Sequence, residues 1–517
     1  MKLSDVKMIH DDYKRVRQQV DSDKSDVDHD VANYFDPKQQ YLNPLANNHG
    51  QLALSEYVEF VYGELFCSEW VAAQGNPESE KSLKKLEAEM KKHITMSNFS
   101  EQTIKLIKEG ALYNGGLFQT NYRHGLEFKT IKNEHIYMSK GYSEAHRRAY
   151  AVRWIPLMEA IALFEGDIIT TLSNQIDMQN ANDMLYQEVE LIAGILPLDE
   201  EEDKADFKKG YRFKRCYILV RDDVPHKLIK KDEKMAMYKT FPLMNYAPQL
   251  DMSLAALALT RAVKADEYDV LISKQARKVT APSFSIARST YINNSFDLDE
   301  GGLVPLSNNE REPSPIESQQ RFNLTAEDIR RHEAAIDRTF KIDLIQRAKV
   351  TNLSQYEAAS NYLNAMKAIA PAAIDLVNKI PGMVLERAHS LLMQNDSKYR
   401  KIASEVGEVN WSMSGWTEKM RRLEIAMGLG RVMQGATPYI QADPASSQVI
   451  KGETAIRMLA GSWGVDEVAA DDAELAEERE EVKKQQQEVM KTAQEQQNAE
   501  LDKTQAETEA IRNPQEG

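Results

Sequence analysis

The chain has 517 residues and a net charge of −15, with 42% hydrophobic and 28% charged residues. That length exceeds one ordinary hydrophobic core, so several subdomains are expected. The acidic balance speaks against a sequence-specific DNA binder, which carries a basic footprint, but is compatible with a protein that lets DNA pass without holding it.

The N-terminal stretch MKLSDVKMIHDDYKRVRQQ has no apolar core, so no export leader is expected. No run of about 18 apolar residues is read along the chain, so no membrane-spanning helix is expected. Residues 51–66 place Leu54, Tyr57, Val58, Val61 and Leu65 at helical spacing. Residues 80–108 continue the pattern through Leu83, Leu86, Met90, Ile94, Ile104 and Ile107. Asn114-Gly115-Gly116 is turn chemistry and Arg123-His124-Gly125 a second turn. Leu126 and Phe128 alternate with Glu127 and Lys129, which predicts a β-hairpin. Residues 142–195 read as helical, 199–206 as a solvated acidic loop, and 213–220 as a strand with Cys216, Ile218 and Val220 on one face. Together, residues 1–250 are expected to form an α+β domain dominated by helices.

Residues 251–279 are rich in alanine, the best helix former, and Pro282 ends that helix. Residues 282–320 are rich in Ser, Asn, Pro, Gly and Asp and read as a loop-and-strand insertion. A second helix is expected from Thr325, with Thr325 as its cap and Asp328 reaching back. Ile329, Ile336, Phe340 and Leu344 give it one thin apolar stripe, and charges of both signs cover the rest. Roughly 24 residues span about 36 Å, so this helix should pack on one side and face water or a polar partner elsewhere.

The chain leaves the helix over 350–353, and Ser354-Gln355-Tyr356-Glu357 is a capping box that restarts it. The new helix places Tyr362, Met366, Ile369, Ile374, Val377 and Ile380 at apolar positions. Pro371 and Pro381 should each kink or break it, since each removes a backbone donor. It resumes to about Gln394, followed by helices at 415–435 and 450–460 and a polar tail in which Leu475, Val482 and Val489 hint at a heptad.

Catalytic signatures are not found. GLGRVMQG at 428–435 lacks a P-loop lysine, the ten histidines show no metal-ligand spacing, and no G-x-S-x-G occurs. The two cysteines, Cys67 and Cys216, lie too far apart in sequence to suggest a disulfide framework. Trp70, Trp411 and Trp416 read as core or interface anchors. No enzyme activity, cofactor or metal site is expected.

The order of elements carries more information than any one motif. An α+β body is followed by a helix, a small insertion, a charged helix, a short polar loop and a kinked helix. This order resembles the portal (head-to-tail connector) proteins of tailed bacteriophages, of the short-tailed, podovirus type. VANYFDP at 31–37, LALSEYVEFVYGELF, the run from SNFSEQT to YMSKG, LSQYEAASNY with Ala370-Pro371, and IPGMVLERAHSLL look like segments of that family. The similarity covers roughly residues 30–465. In contrast, CSEWVAAQGN stands where relatives often carry a Trp-Phe pair, and the tail is too short and polar for a long helical barrel.

The resemblance implies a predominantly α-helical α+β portal fold: a wing at 1–250, a stem of helices 251–281 and 323–349, a clip at 282–322, and a tunnel loop at 350–354. It further implies a kinked wing helix at 355–394, a crown at 395–470, and a polar helical or disordered tail at 471–517. It implies a homo-oligomeric ring of twelve subunits at one capsid vertex of the virion, assembled in the host cytoplasm. Double-stranded DNA would pass through it without sequence specificity. The partners implied are the major capsid protein, a scaffolding protein, the large terminase subunit and a head-to-tail adaptor, with no membrane. In such a ring Arg338, Lys341, Arg347, Lys349, Thr351 and Asn352 would line the DNA channel. A non-ring virion scaffold or internal structural protein is the alternative, and it would not need an insertion between two stem helices.

Overall fold

The computed structural model describes residues 3–23, 26–35, 48–66, 70–75, 80–139, 147–164, 186–199, 204–221, 224–228, 237–238, 241–246, 252–280, 284–287, 303–306, 314–315, 322–350 and 355–413, with short helical stretches between 420 and 435. The chain divides into two units, Met1–Glu418 and Lys419–Gly517, and the elements below belong to the first. The architecture is α+β and mostly helical.

Helices α1 (Leu3–Asp23) and α2 (Asp26–Phe35) come first. Val6, Ile9, Tyr13 and Val16 recur at three- and four-residue steps and are all buried, the period of one helical face. In α3 (His49–Leu65) the five apolar residues picked out by spacing are buried. Strand β1 (Ala72–Gln74) precedes α4 (Glu80–Thr95) and α5 (Phe99–Tyr113). The pattern over 80–108 is therefore two helices. Ser97 separates them, donating to the Ile94 carbonyl while accepting from the Phe99 N–H. The break changes the phase, so Ile104 is exposed while Thr103, Leu106 and Ile107 are buried.

Asn114 ends α5 in the left-handed region at φ 53°. Strands β2 (Gly116–Tyr122) and β3 (Leu126–Ile131) then form the expected hairpin, with Leu117 opposite Ile131 and Tyr122 opposite Leu126. Next come β4 (Ile136–Met138), β5 (Ala149–Pro156), α6 (Leu157–Phe164) and β6 (Glu188–Pro197). This corrects the helical reading of 142–195: β5 and β6 are adjacent antiparallel strands, pairing from Ala149–Ile195 to Pro156–Glu188. Within the acidic run lies a short helix, α7 (Lys204–Lys208), which corrects part of the loop reading. The strands β7 (Phe213–Arg221), β8 (Val224–Leu228) and β9 (Met237–Tyr238) complete a six-stranded sheet of order β4-β5-β6-β7-β8, with β9 also paired to β7. Strand β10 (Leu243–Tyr246) instead joins the hairpin as β10-β2-β3. One face of the larger sheet packs on α1, where Tyr150, Val152, Ile192, Cys216, Ile218 and Val220 meet Val6, Ile9, Tyr13 and Val16. Tyr150 and Arg148 both donate to Asp12 of α1, at 2.5 and 2.6 Å.

Helix α8 (Leu254–Thr280) leads into a three-stranded sheet. In it β11 (Phe284–Ala287) runs parallel to β12 (Leu303–Leu306) and antiparallel to β13 (Ser314–Pro315). The next helix, α9 (Phe322–Phe340), begins ahead of Thr325, which therefore lies inside the helix and not at its cap. Nor is 325–349 a single rod, because Lys341 takes a left-handed backbone (φ 60°, ψ 25°) before α10 (Ile342–Lys349). In a continuous helix residues 340 and 342 point about 200° apart; the break lets Phe340, Ile342 and Ile345 all be buried.

Helix α11 (Gln355–Ile380) runs through Pro371 without interruption. Its buried face is Leu363, Met366, Ile369, Ala373, Leu376 and Ile380, whereas Ile374, expected inside, is 45% exposed. At Pro381 the hydrogen bonding changes to a π turn, Pro381–Leu385, in which the Glu386 N–H reaches the Pro381 carbonyl. Then follow α12 (Glu386–Asn395), α13 (Ser397–Val406) and β14 (Asn410–Ser412). Residues 357–395 form a 39-residue helical stretch with a window of mean hydropathy 1.3, long and apolar enough to cross a membrane by length and composition only. In that window 39% is buried, and α11 packs on α3, α10 and β10.

Residues 395–413 join the body: α13 packs on α4, and β14 pairs with β1 by placing Trp411 opposite Ala73. Trp70 and Trp411 are buried, as is the Cys216 side chain. The expectations for Cys67, Thr351, Asn352, Ser354, Trp416, the 450–460 helix and the 471–517 tail lie outside the described residues.

Candidate functional site

Helices α8 and α9 make the most extensive helix–helix contact among the described residues. The seam on α8 is built from small residues: Ala255, Ala258, Ala262 and Ala265 are buried at three- and four-residue steps. α8 also packs on α2 and α3, and the crossing at Gly50 is close. A Cβ there would stand 2.9 Å from the Ala262 Cβ and 3.2–3.3 Å from the rings of Tyr34 and Phe35. On α9, Ile329, Ile336 and Phe340 are buried, and Phe340 meets the rings of Phe35 and Tyr57 at 6.1 and 6.2 Å.

Polar contacts tie this pair to the body. His49, the first residue of α3, donates from Nε2 to Asp337 Oδ1 of α9 at 2.8 Å. The Tyr34 hydroxyl of α2 donates to Asp266 Oδ2 of α8 at 2.5 Å. Burial holds the Asp266 carboxyl above the usual range, against the pull of hydrogen bonds from Tyr34 and the Asn48 backbone. A cleft of about 480 Å³ opens beside it, lined by Tyr34, Asn48, Gln51, Val263 and Leu271 among others. On the α8–α9 seam His332 stacks on Tyr268 (ring centroids 5.8 Å apart), and Arg261 Nη1 lies 3.4 Å from its Nδ1. Burial, then Arg261 and Lys264, lower the His332 pKa. The ring is therefore neutral near pH 7, and Nδ1 is its acceptor.

The basic residues picked out by sequence fall into different settings. Arg338 is exposed in the last turn of α9, and Lys341 is the half-buried residue at the bend. Arg347 and Lys349 are both exposed in the last turn of α10, where cations complement the helix dipole. Two residues apart on a helix, they point to opposite sides. Lys349 turns to α3 and pairs with Glu56 at 3.1 Å, with Gln346 3.5 Å from the same carboxylate. The four cations therefore do not form one patch. Pro371 lies on an exposed part of α11, while Pro381 opens the π turn that leads into the buried Val384 and Leu385.

The contacts that sequence reasoning missed are those between helices. His49 and Asp337 are 288 residues apart, and Tyr34 and Asp266 are 232 apart, so local patterns carry no signal for either. Among the described residues no three His, Cys, Asp or Glu side chains converge as a metal set. The arrangement clamps a helix pair to an α+β body. No family model and no curated protein matches the chain.

Proposed function

We propose that the chain is the subunit of a portal-type ring of a short-tailed phage. In this reading it is a non-enzymatic channel through which double-stranded DNA is packaged and later released. The observation that carries the proposal is the run from α8 to α11. Two closely packed helices enclose a separate three-stranded sheet, and the second bends at Lys341 and is followed by a proline-bearing helix. A virion scaffold without a ring has no need of an insertion mounted on a helix pair.

On this reading the α+β body is the wing and α8 with α9 and α10 the stem. The β11–β13 sheet is the clip, where a terminase motor and then an adaptor dock. Residues 350–354 are the tunnel loop, with Thr351 and Asn352 facing DNA. The charge supports passage over retention: twelve chains of −15 carry about −180, and neutralisation of phosphate by Lys and Arg supplies most non-specific DNA affinity.

Electron microscopy of the purified protein, with mass by light scattering, tests the proposal. The expected result is a ring near twelve-fold symmetry with a central hole and a mass of about 0.7 MDa, twelve times 58.8 kDa. A monomer, small dimer or filament at all concentrations would overturn it in favour of a non-ring virion component.

A further inference from the structure

Helix α4 carries a basic stripe on an acidic chain. It buries Leu86, Met90 and Ile94 at four-residue steps. At about 100° per residue, Lys81, Lys84, Lys85, Ala88, Lys92 and Thr95 fall within a sector of about 100° on the opposite side, and all six are exposed. Four of these positions are lysines and none is acidic. From Lys81 to Lys92 the stripe is about 16 Å long, at 1.5 Å per residue.

Two acids of α4 are engaged off the stripe. Glu87 accepts the Ala73 N–H at 2.6 Å and so turns to β1. Glu89, at the edge of the stripe, is held by Lys398 of α13, with Lys92 a weaker influence. Among the described residues no carboxylate forms an ion pair with Lys81, Lys85 or Lys92. Helix α13 packs on α4 and extends the basic surface: Lys398 and Lys401 are both exposed, and residues three apart share a helix face. Its acid nearest the start of the stripe, Glu405, accepts from the Ser82 hydroxyl at 3.2 Å.

We propose that this stripe docks an acidic α-helix of a partner protein. The carboxylates of that helix, at three- and four-residue steps, face Lys81, Lys84, Lys85 and Lys92, and Ala88 at the centre lets the two helices approach. Acids at such steps share one helix face, and opposite charges across a helix pair set partner and orientation. Lysine stems lie along a partner surface while their ammonium groups reach its carboxylates. Two observations favour a protein helix over nucleic acid. The stripe is all lysine, a point charge without the fork that orients a phosphate. It is also short: a duplex carries a charge about every 1.7 Å and would run on past it over a chain of net charge −15, whereas an acidic helix of about three turns matches its length. The stripe belongs to the single chain, so docking does not depend on ring formation.

The test is fluorescence anisotropy of the full chain with a labelled alanine-based peptide of about 18 residues, long enough to be helical alone, that carries glutamates along one face. A second peptide of the same composition has its glutamates spread around the helix. The one-faced peptide should bind saturably, about fivefold or more tighter than the scattered one, and weaken as salt rises. The double variant Lys85→Glu, Lys92→Glu should lose about tenfold or more in affinity, since attractions become repulsions, and should instead prefer a one-faced peptide with lysine in place of glutamate. Lys105→Glu should bind like wild type, because Lys105 is exposed on α5 and pairs with Glu101 at 2.6 Å. Lys85 and Lys92 are exposed, so their reversal should leave the fold intact, and the comparison of the two peptides on wild type is decisive without it. The proposal is overturned if the two peptides bind alike, if the double variant keeps wild-type affinity, or if a short DNA duplex binds through these lysines more tightly than the peptide, which would make the stripe a nucleic-acid surface.

Discussion

His49 stands where α3, α8 and α9 meet. Its hydrogen bond to Asp337 raises its pKa; burial opposes this, and the charges of Asp337, Glu333 and Asp266 add to it. Glu333 is raised chiefly by burial, as is Asp266. The signs agree. A histidine with a raised folded pKa contributes stability that is complete below its unfolded value, about 6.5, and is lost as pH rises through the folded value. A carboxyl with a raised folded pKa holds its proton more tightly when folded, so its ionisation also weakens the fold as pH rises, beginning from about 4. The α3–α9 clamp should therefore loosen on the alkaline side. Asp337→Asn removes the charged partner, and the expected cost at pH 6 is about 1 kcal/mol, the lower range for a hydrogen bond to a charged group at a site open to solvent. By pH 9 the gap to wild type should close, because His49 is then neutral in both proteins. Denaturant unfolding at several pH values checks this, and a gap that stays constant from pH 6 to 9 would rule out His49 as the titrating group.

Helix α11 keeps an interior proline that its neighbours do not forbid. Pro371 cannot donate to the Lys367 carbonyl, and a proline inside a helix costs roughly 3 kcal/mol relative to alanine. Part of that is returned because proline also restricts the unfolded chain, by about 0.4–1 kcal/mol. Pro371→Ala is therefore expected to stabilise the chain by about 2–2.6 kcal/mol, read from the denaturant midpoint by circular dichroism. A destabilised variant would show that the packing of α11 on α3 and α10 demands the proline geometry. Pro381 differs, since the π turn sets the phase in which Ala388, Leu391 and Leu392 of α12 are buried. The legibility of these elements follows their surroundings. α3 is readable because it has a buried and an open side, and the hairpin because its turns are marked and β3 sets buried Leu126 and Phe128 about exposed Glu127, although β2 is buried from Gly116 to Thr120. β6 is buried along most of its length on both faces, so it reads as a continuous apolar run that periodicity cannot tell from a buried helix. Periodicity alone therefore reads 142–195 as helical. Thr325 resembled a cap only because its sequence pattern fits one; the helix starts three residues earlier, and the bend at Lys341 follows from burying Phe340 and Ile342 together. The His49–Asp337 pair joins residues 288 apart in the chain. Sites of this kind are assembled by topology and leave no local pattern.

At the scale of the whole molecule, charge decides how the proposed channel treats DNA. Each phosphate contact that a cation makes releases a condensed counterion, so the logarithm of affinity falls with the logarithm of salt concentration by about 0.9 for every phosphate neutralised. An assembly that carries −15 per chain is expected to hold duplex DNA no more tightly than about 10⁻⁴ M at physiological salt, the weak end of non-specific binding. At low salt the residual affinity should come from exposed, unengaged cations. Arg338 and Arg347 fit that description, whereas Lys349 is held by Glu56 at 3.1 Å. Fluorescence anisotropy of a labelled duplex over a salt series separates them. The Arg338→Gln, Arg347→Gln double variant should flatten the slope by about one unit for each phosphate those residues engage. Lys349→Gln should change it less and, as an exposed pair is worth about 0–1 kcal/mol, should leave stability almost unchanged. If the double variant keeps the wild-type slope, Arg338 and Arg347 do not face DNA, and α9 turns another side to the channel. The same result with an intact ring would confine the error to the rotation of the stem helices, because assembly is read by mass and symmetry and not by DNA affinity.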